Sequence, residues 1–181
     1  GETPNAFIKE HHHLFPKGSK IAAFAEGEGR NAAFLAKEHY VTAFDQSVVG
    51  LEKTRKLGEK FKVAHKIETV EIDLTEEKVT PESFEGAILV FGHVPENLQP
   101  TFFENIYRSL KPGGLFLFEV YSEKQLEYRT GGPGDISLLY SPELILSELK
   151  ALFPLHFYYG EAVRHEGDKH TGRCHVIQGI F

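Results

Sequence analysis

The stretch "IAAFAEGEGRNAAFLA", residues 21–36, decides the fold of this chain. A short apolar run stops at a carboxylate and two glycines, Gly27 and Gly29, and then continues with small and apolar residues at helical spacing. Glycines after a strand let a ligand approach the backbone, and the helix that follows offers unpaired N–H groups. The pattern predicts a strand, a turn that lies against a cofactor, and a helix.

This turn alone does not identify the cofactor. Residues 27–32 fit the dinucleotide pattern G-x-G-x-x-G/A. Asp45 follows the turn by about 20 positions, where a ribose-binding acid belongs. Both NAD and S-adenosylmethionine use such a turn, and an ordinary tight strand–helix turn would look the same over so short a match.

Strand and helix signals alternate along the chain, which predicts an α/β fold with a parallel sheet. The predicted strands are residues 21–25, 41–44, 69–72, 86–91, 115–120, 155–163 and 173–181. The predicted helices are residues 30–38, 48–60, 101–110 and 142–152, with Ser47 and Ser141 as N-caps of the second and fourth. The remaining features are a "KPGG" stop at residues 111–114, a long polar segment at 122–140 and a hairpin connection at 164–171.

Three features together point beyond a generic nucleotide fold. Asp73 ends the third predicted strand, where it can receive an adenine amino group, and "LKPGG" (residues 110–114) leads into the fifth. The chain ends in a hairpin, which makes the last strand antiparallel. This combination resembles class I S-adenosylmethionine-dependent methyltransferases. The resemblance implies a Rossmann-like, doubly wound, seven-stranded sheet of order 3-2-1-4-5-7-6.

The resemblance can be narrowed. "AEGEGRNAAFLA", "VTAFDQSVVGLEK", "LKPGGLFLFE" and "EGDKHTGRCHVIQ" are similar to a small bacterial group related to the tellurite-resistance (TehB-type) methyltransferases. This implies one methyltransferase domain over residues 1–181 that uses S-adenosylmethionine and releases S-adenosylhomocysteine. In that family an aromatic-bearing segment precedes the piece matching "GETPNAF" (residues 1–7) and helps to cover the cofactor, so we expect that covering segment to be missing here.

The resemblance also assigns cofactor contacts at the carboxyl ends of the first four strands. These residues are Glu26, Gly27, Glu28, Gly29, Asn31, Asp45, Gln46, Ser47, Asp73, Leu74, Phe91 and Gly92. Asp45 matches the ribose-binding acid, and Asp73 with Leu74 matches the adenine end. Many superfamily members have an acid at the position of Ala23, which this chain lacks. We therefore hypothesise that Glu26 contacts the ammonium group of the cofactor.

The acceptor side is predicted from a few polar residues. His93 follows the fourth strand, and histidine is the side chain that most readily accepts a proton near neutral pH, although a strand-end histidine bonded to a carbonyl is an equal alternative. Tyr128, Arg164 and His170 are further candidates, with solvated loop residues as the alternative for the last two. The resemblance implies a small-molecule acceptor, such as a thiol or a chalcogen oxyanion, which needs little help from a base.

Other histidines and the cysteine are predicted to be structural. "HHH" (residues 11–13) is interpreted as surface histidines, and no metal is expected. His165, His170 and His175 are not obviously brought together by a hairpin. Cys174 is the only cysteine, which excludes an intrachain disulfide, and it is predicted to lie in the core.

Composition limits the partners. The formal charge is −6 and the pI about 5.9, which argues against a protein that grips nucleic acid by its phosphates. No apolar run approaches the ~18 residues of a membrane span. We expect a cytoplasmic monomer or homodimer without membrane contact. A nucleic-acid methyltransferase, an NAD-dependent oxidoreductase and a non-catalytic cofactor-binding protein remain as alternatives.

Overall fold

The computed structural model describes residues 1–166 and 171–181. Its strands are β1 Lys20–Phe24, β2 Tyr40–Asp45, β3 Ile67–Glu71, β4 Phe84–Val90, β5 Leu110–Tyr121, β6 His156–His165 and β7 Thr171–Ile180. They form one sheet in the order β3-β2-β1-β4-β5-β7-β6. The strands β1 to β5 pair in parallel, whereas β7 pairs antiparallel with both β5 and β6. The predicted fold class and strand order are confirmed.

The helices are α1 Ala6–His11, α2 Arg30–Leu35, α3 Val48–Lys60, α4 Gln99–Ser109 and α5 Pro142–Glu148. Both predicted N-caps are confirmed, because the Ser47 and Ser141 hydroxyls accept hydrogen bonds from backbone N–H groups at the starts of α3 and α5. No helix in the described part of the chain combines the length and the apolar character needed to cross a membrane.

The sheet is buried on both faces. One core cluster packs β1 and its neighbours against α1, α2 and α3, and a second packs the opposite face against α4 and α5. In β1, Ile21 and Ala23 belong to the first cluster, and Ala22 and Phe24 to the second. All four are fully buried. A strand covered on both sides has no solvent face, which explains its continuous apolar sequence.

We predicted that the "KPGG" segment separates α4 from β5, but in the structure it is part of β5. β5 begins at Leu110, and its pairing with β4 shifts register, from Phe84 opposite Leu110 to Gly86 opposite Leu115. The extra residues are accommodated as an irregularity in the strand, with Gly113 in the left-handed region at φ +79°. The glycines therefore serve a bulged strand rather than a loop.

Several other boundaries also differ from the prediction. α2 ends at Leu35 and α5 at Glu148, each a few residues early, and α1, capped by the Asn5 side chain, was not predicted. The hairpin connection is shorter than the predicted 164–171, because β6 continues to His165 and β7 starts at Thr171. His170 lies outside the described residues.

Candidate active site

The two glycines of the turn after β1 are required for different reasons. Both are in the left-handed region, with φ +63° at Gly27 and +85° at Gly29. A Cβ on Gly27 would have no heavy atom within 4 Å, so this backbone faces open space that a ligand can occupy. A Cβ on Gly29 would lie 2.6 Å from the Cα of Thr54. Gly29 therefore allows α3 to pack closely, whereas Gly27 leaves room for a ligand.

The turn is fixed by hydrogen bonds from β2 and α3. The Gly27 N–H donates to Asp45 Oδ2 over 2.8 Å, and Thr54 Oγ1 donates to the Gly27 carbonyl over 3.1 Å. The other oxygen of Asp45 accepts from the Ser47 N–H over 2.8 Å. Each carboxylate oxygen can accept more than one hydrogen bond, so Asp45 is oriented and still able to receive ribose hydroxyls.

Glu26 is a buried carboxylate at the start of α2. Its Oε1 accepts from the N–H groups of Asn31 and Ala32, over 2.9 and 2.8 Å, and so satisfies two donors at the helix N-terminus. Burial raises the pKa of Glu26 to about 7, and the two backbone hydrogen bonds oppose this rise. The structure thus gives Glu26 a helix-capping role that the sequence did not suggest, while its contact with a cofactor ammonium group stays a prediction.

Asp73 and Leu74 follow β3 on the same edge of the sheet. Asp73 Oδ1 accepts from the Thr75 N–H and hydroxyl over 2.9 and 2.6 Å, and these bonds lower the pKa of Asp73. Leu74 is buried in the core. The carboxylate is therefore ionised and held in place.

Asn105 of α4 was missed by the sequence analysis and holds the loop after β3. Its Nδ2 donates to the carbonyls of Leu74 and Glu77, and its Oδ1 accepts from the Val79 N–H over 2.8 Å. The available signal was a polar residue among the apolar positions of an amphipathic helix. Asn105 thereby positions the residues predicted to meet the adenine.

One cavity joins many of the predicted cofactor residues. Its volume is about 460 Å³, within the usual range for small-molecule sites. The predicted residues that line it are Asp45, Gln46, Asp73, Leu74, Phe91, Gly92 and His93. Glu28 does not line it; that side chain is exposed and pairs with Lys53. The cavity lies at the carboxyl ends of parallel strands, where ligands bind in open α/β sheets.

Three aromatic side chains form a stack beside this cavity. The ring centroids of Phe91 and Tyr121 are 4.3 Å apart, with an interplanar angle of 8°. The ring centroids of His93 and Tyr121 are 6.2 Å apart, with an interplanar angle of 6°. Phe91 has a φ of +54°, an unusual value for a non-glycine residue, and such backbone strain concentrates at functional sites. We call Phe91, Tyr121 and His93 the aromatic stack. Tyr121 was not predicted as a site residue.

We predicted that Arg164 lies on the hairpin connection, but the structure places it at a buried position of β6. Its guanidinium makes a two-pronged ion pair with Glu119 of β5, with a Nε to Oε1 distance of 2.7 Å. Glu119 is fully buried and also accepts from Gln178 Nε2 over 2.7 Å. Arg164 is therefore a structural partner of Glu119 in this conformation, and its contact with an acceptor stays a prediction.

Asn5 connects the N-terminal residues to this ion pair. Its Nδ2 donates to Glu119 Oε1 and Glu166 Oε1 over 2.8 and 3.0 Å, and its backbone N–H donates to Asn31 Oδ1 over 2.9 Å. Arg30 Nη1 lies 2.6 Å from Glu166 Oε2. The predicted cofactor residue Asn31 is thus also the point where the N-terminal residues attach to α2.

The long polar segment at 122–140 is closed at its base. Ser122 and Tyr140 form an isolated β-bridge, and the Tyr140 hydroxyl donates to the Gly92 carbonyl over 2.5 Å. Tyr128 lies on the outer side, where its hydroxyl donates to Glu161 Oε1 over 2.7 Å. The base of the segment is therefore attached to the cavity, whereas the candidate Tyr128 is held by β6.

Cys174, His165 and His175 were predicted to have structural rather than chemical roles. Cys174 is buried in a core cluster, as predicted, and burial raises the pKa of its thiol to about 11. The His175 Nδ1 lies 2.7 Å from Ser122 Oγ, and the ring is buried, which confirms a structural use. His165 is exposed at the end of β6.

The strand order with a reversed β7, together with a cavity beyond β1, β2 and β4, defines a class I methyltransferase fold. The sequence profile described as "Methyltransferase domain" matches residues 21–114, more than half of the chain. The chain belongs to this family. It is an S-adenosylmethionine-dependent methyltransferase, and this membership decides between S-adenosylmethionine and NAD for the glycine turn.

Solved structures show the same fold. TehB from Haemophilus influenzae matches with a TM-score of 0.78 and 14% identity, over 98% of this chain and 61% of TehB. A TehB-like SAM-dependent methyltransferase from Corynebacterium glutamicum matches at 0.66 and 14% identity, over 96% and 85% of the two chains. A SAM-dependent methyltransferase from Aquifex aeolicus matches at 0.65 and 15% identity, over 95% and 88%. A search of curated proteins finds no match.

The residues at the site fit S-adenosylmethionine. Gly27 presents backbone to open space, Asp45 offers an oriented carboxylate for ribose hydroxyls, and Asp73 offers one for an adenine amino group. When bound, the cofactor supplies an activated methyl group. The residues that would hold it are those of the glycine turn and the two acids.

Proposed function

We propose that this enzyme transfers the methyl group to a small molecule with a soft nucleophilic atom, such as a thiol or a chalcogen oxyanion. The observation that carries this proposal is the aromatic stack beside a cavity of about 460 Å³. Aromatic faces make favourable contacts with sulfur and with cations, so they suit both a polarizable acceptor and a sulfonium. The sequence resemblance to the tellurite-resistance group implies such an acceptor.

Methyl transfer is an in-line displacement in which positive charge disperses. The main contribution of the protein is alignment of the two reacting atoms, assisted by exclusion of water. Gly27 and Asp45 orient the cofactor, and the aromatic stack limits the direction from which an acceptor can approach. A thiolate or an oxyanion is already a nucleophile, so it needs no strong base.

His93 is the residue placed to accept a proton from an acceptor that arrives as a neutral thiol. It lines the cavity and is exposed, so its ring can reach both ligand and solvent. The hydroxyl of Tyr121 is unsuitable for that task, because burial raises its pKa well above the ordinary value and keeps it neutral. We assign proton acceptance to His93, and we assign to the buried Tyr121 the positioning of the Phe91 and His93 rings that line the cavity.

The test is a panel of acceptors assayed for release of S-adenosylhomocysteine. We expect release above the acceptor-free background with an aromatic thiol, selenite or tellurite, and none with RNA or simple amines. Tyr121→Ala should raise the KM for the acceptor at least about tenfold, whereas Tyr128→Phe on the outer side should leave it unchanged. Transfer to RNA or amines alone would overturn the proposal. Cofactor binding by calorimetry without turnover on any acceptor would favour a non-catalytic role.

A further inference from the structure

His12, Glu38 and His39 come together on the side of the molecule away from the cavity. His12 lies in the short helical turn after α1, and the other two lie between α2 and β2. One ring nitrogen of each histidine and one carboxylate oxygen of Glu38 lie within 4.8 Å of one another. Because β2 starts at Tyr40 and ends at Asp45, this cluster is roughly 20 Å along the strand from the ribose-binding acid.

His39 is the unusual member of the cluster. Its side chain is only 1% exposed, and among the described residues neither ring nitrogen has a hydrogen-bond partner. Buried polar atoms normally have partners, since an unsatisfied one costs free energy. The edge of the ring faces Phe15, which offers no hydrogen bond.

Of the three consecutive histidines, His12 is the one directed to this cluster. His11 Nδ1 pairs with the Phe7 carbonyl, and its ring packs on Phe7. His13 is exposed, and its Nδ1 pairs with the Glu10 carbonyl. His12 packs against Phe34 of α2 and lies beside Glu38 and His39. His12 is half-buried and is the one of the three that lies beside Glu38 and His39.

We propose that His12, Glu38 and His39 bind a divalent transition-metal ion of the Zn²⁺ type, with water as the fourth ligand. Two imidazole nitrogens and one carboxylate oxygen are a common donor set for Zn²⁺, whereas Mg²⁺ and Ca²⁺ require oxygen ligands. A metal ion bound among these three atoms gives the buried His39 nitrogen the partner that it lacks.

The location assigns this metal a structural role. The metal joins the turn after α1 to the segment between α2 and β2. The opposite, N-terminal end of α1 is capped by Asn5. Asn5 holds Glu119 and Asn31 near the candidate active site. Metal binding therefore fastens the N-terminal residues across the face of the sheet that supports α2.

The experiment is calorimetric titration of metal-free protein, the full chain, with Zn²⁺, together with visible spectra after addition of Co²⁺. We expect one ion per chain and the absorption of tetrahedral Co²⁺. His12→Ala and Glu38→Gln should each weaken Zn²⁺ binding at least about tenfold. The matched controls are His13→Ala and Glu10→Gln, which change neighbouring residues outside the cluster and should leave binding unchanged.

Thermal unfolding gives a second readout that does not depend on activity. Zn²⁺ should raise the Tm of the unmodified chain and of His13→Ala, because a ligand that binds only the folded state stabilises it. It should not raise the Tm of His12→Ala. The proposal is overturned if His13→Ala loses as much affinity as His12→Ala, which would indicate binding by the histidine run alone, or if the unmodified chain does not bind Zn²⁺. Because His39 is buried, His39→Ala can unfold the site. The test therefore uses His12→Ala and Glu38→Gln.

Discussion

The cofactor-binding turn and the hairpin end of the sheet both adjoin the candidate active site, but they hold their polar groups differently. In the turn, Glu26 accepts from Asn31 and Ala32, which follow it closely in the chain. At the hairpin end, Glu119 is held by Asn5 and Arg164, which lie far away along the chain on either side. The contacts of Glu26 are local in the sequence, although Asp45 and Thr54 also hold the turn. The contacts of Glu119 exist only after the whole sheet has assembled.

This difference affects cofactor binding and acceptor binding in different ways. A turn made of local contacts provides the same cofactor cradle wherever a strand, two glycines and a helix follow one another. An acceptor region made of long-range contacts changes with any of the segments that meet there. The comparison therefore predicts that variants of the hairpin end affect folding first and that variants of the turn affect cofactor affinity first.

The largest effect is expected for Glu119→Ala. This substitution leaves the Arg164 guanidinium buried without its carboxylate, which typically costs about 3–5 kcal/mol. Urea unfolding followed by circular dichroism measures the loss. The control is Glu104→Ala, which breaks an exposed pair with Arg108 worth about 0.3–0.5 kcal/mol. Equal losses in the two variants would show that the hairpin end does not depend on its buried ion pair.

A smaller effect separates the two glycines of the turn. Gly29→Ala should lower the free energy of unfolding by about 2 kcal/mol, because its Cβ meets Thr54 and its φ is positive. Gly27→Ala meets no atom and should cost only about 1 kcal/mol of backbone strain. In contrast, Gly27→Ala should weaken S-adenosylmethionine binding, since the methyl group fills the ligand space. Unfolding and calorimetry on both variants test this. An unchanged cofactor affinity in Gly27→Ala would contradict the assignment.

The buried carboxyl of Glu26 should make both stability and cofactor affinity depend on pH. Its folded-state pKa of about 7 lies above the ordinary value of 4.5, so the folded protein favours the protonated form. Stability of the cofactor-free protein should therefore fall as pH rises from about 4.5 to about 7 and level off above that. If the ionised form contacts the cofactor ammonium group, affinity should rise by up to about tenfold per pH unit over the same range.

The check on Glu26 is calorimetry at several pH values for the native chain and for Glu26→Gln. The variant should bind S-adenosylmethionine with little pH dependence in this range. The ammonium contact is refuted if Glu26→Ala leaves the dissociation constant unchanged, and Glu26 would then serve only as the cap of α2.

The smallest effect is expected for His93→Gln. The side chain is exposed, so stability should change by less than about 0.5 kcal/mol. With an acceptor that is already anionic, kcat should stay nearly constant. With a thiol assayed below its own pKa, kcat should fall, because the proton acceptor is lost. Steady-state kinetics on both acceptor types measure this. A similar large loss with both would indicate that His93 positions the acceptor.

Much of the fold could be predicted because the relevant signals are local. The apolar runs of β1 and β4, the N-caps Ser47 and Ser141, and the hairpin tail predicted the alternation of strands and helices. The strand order came from the resemblance to class I methyltransferases, and the structure confirms it. Element ends were less predictable. "KPGG" looks like a stop signal in the sequence, and the register shift between β4 and β5 depends on pairing with another strand.

The candidate site could be predicted only in part, for the same physical reason. Asp45, Asp73 and Phe91 were found because each lies at the end of its own strand. Asn105 and Tyr121 were missed because they act through contacts with distant segments.

The sequence by itself determined the βαβ alternation, the glycine turn and the family of this methyltransferase, because strand, turn and helix preferences are set by neighbouring residues. Only the tertiary structure decided that Arg164 is buried against Glu119 and that His12 meets His39. Both arrangements depend on which segments become neighbours after folding. Burial and pairing then fix the charge and the partners of each side chain.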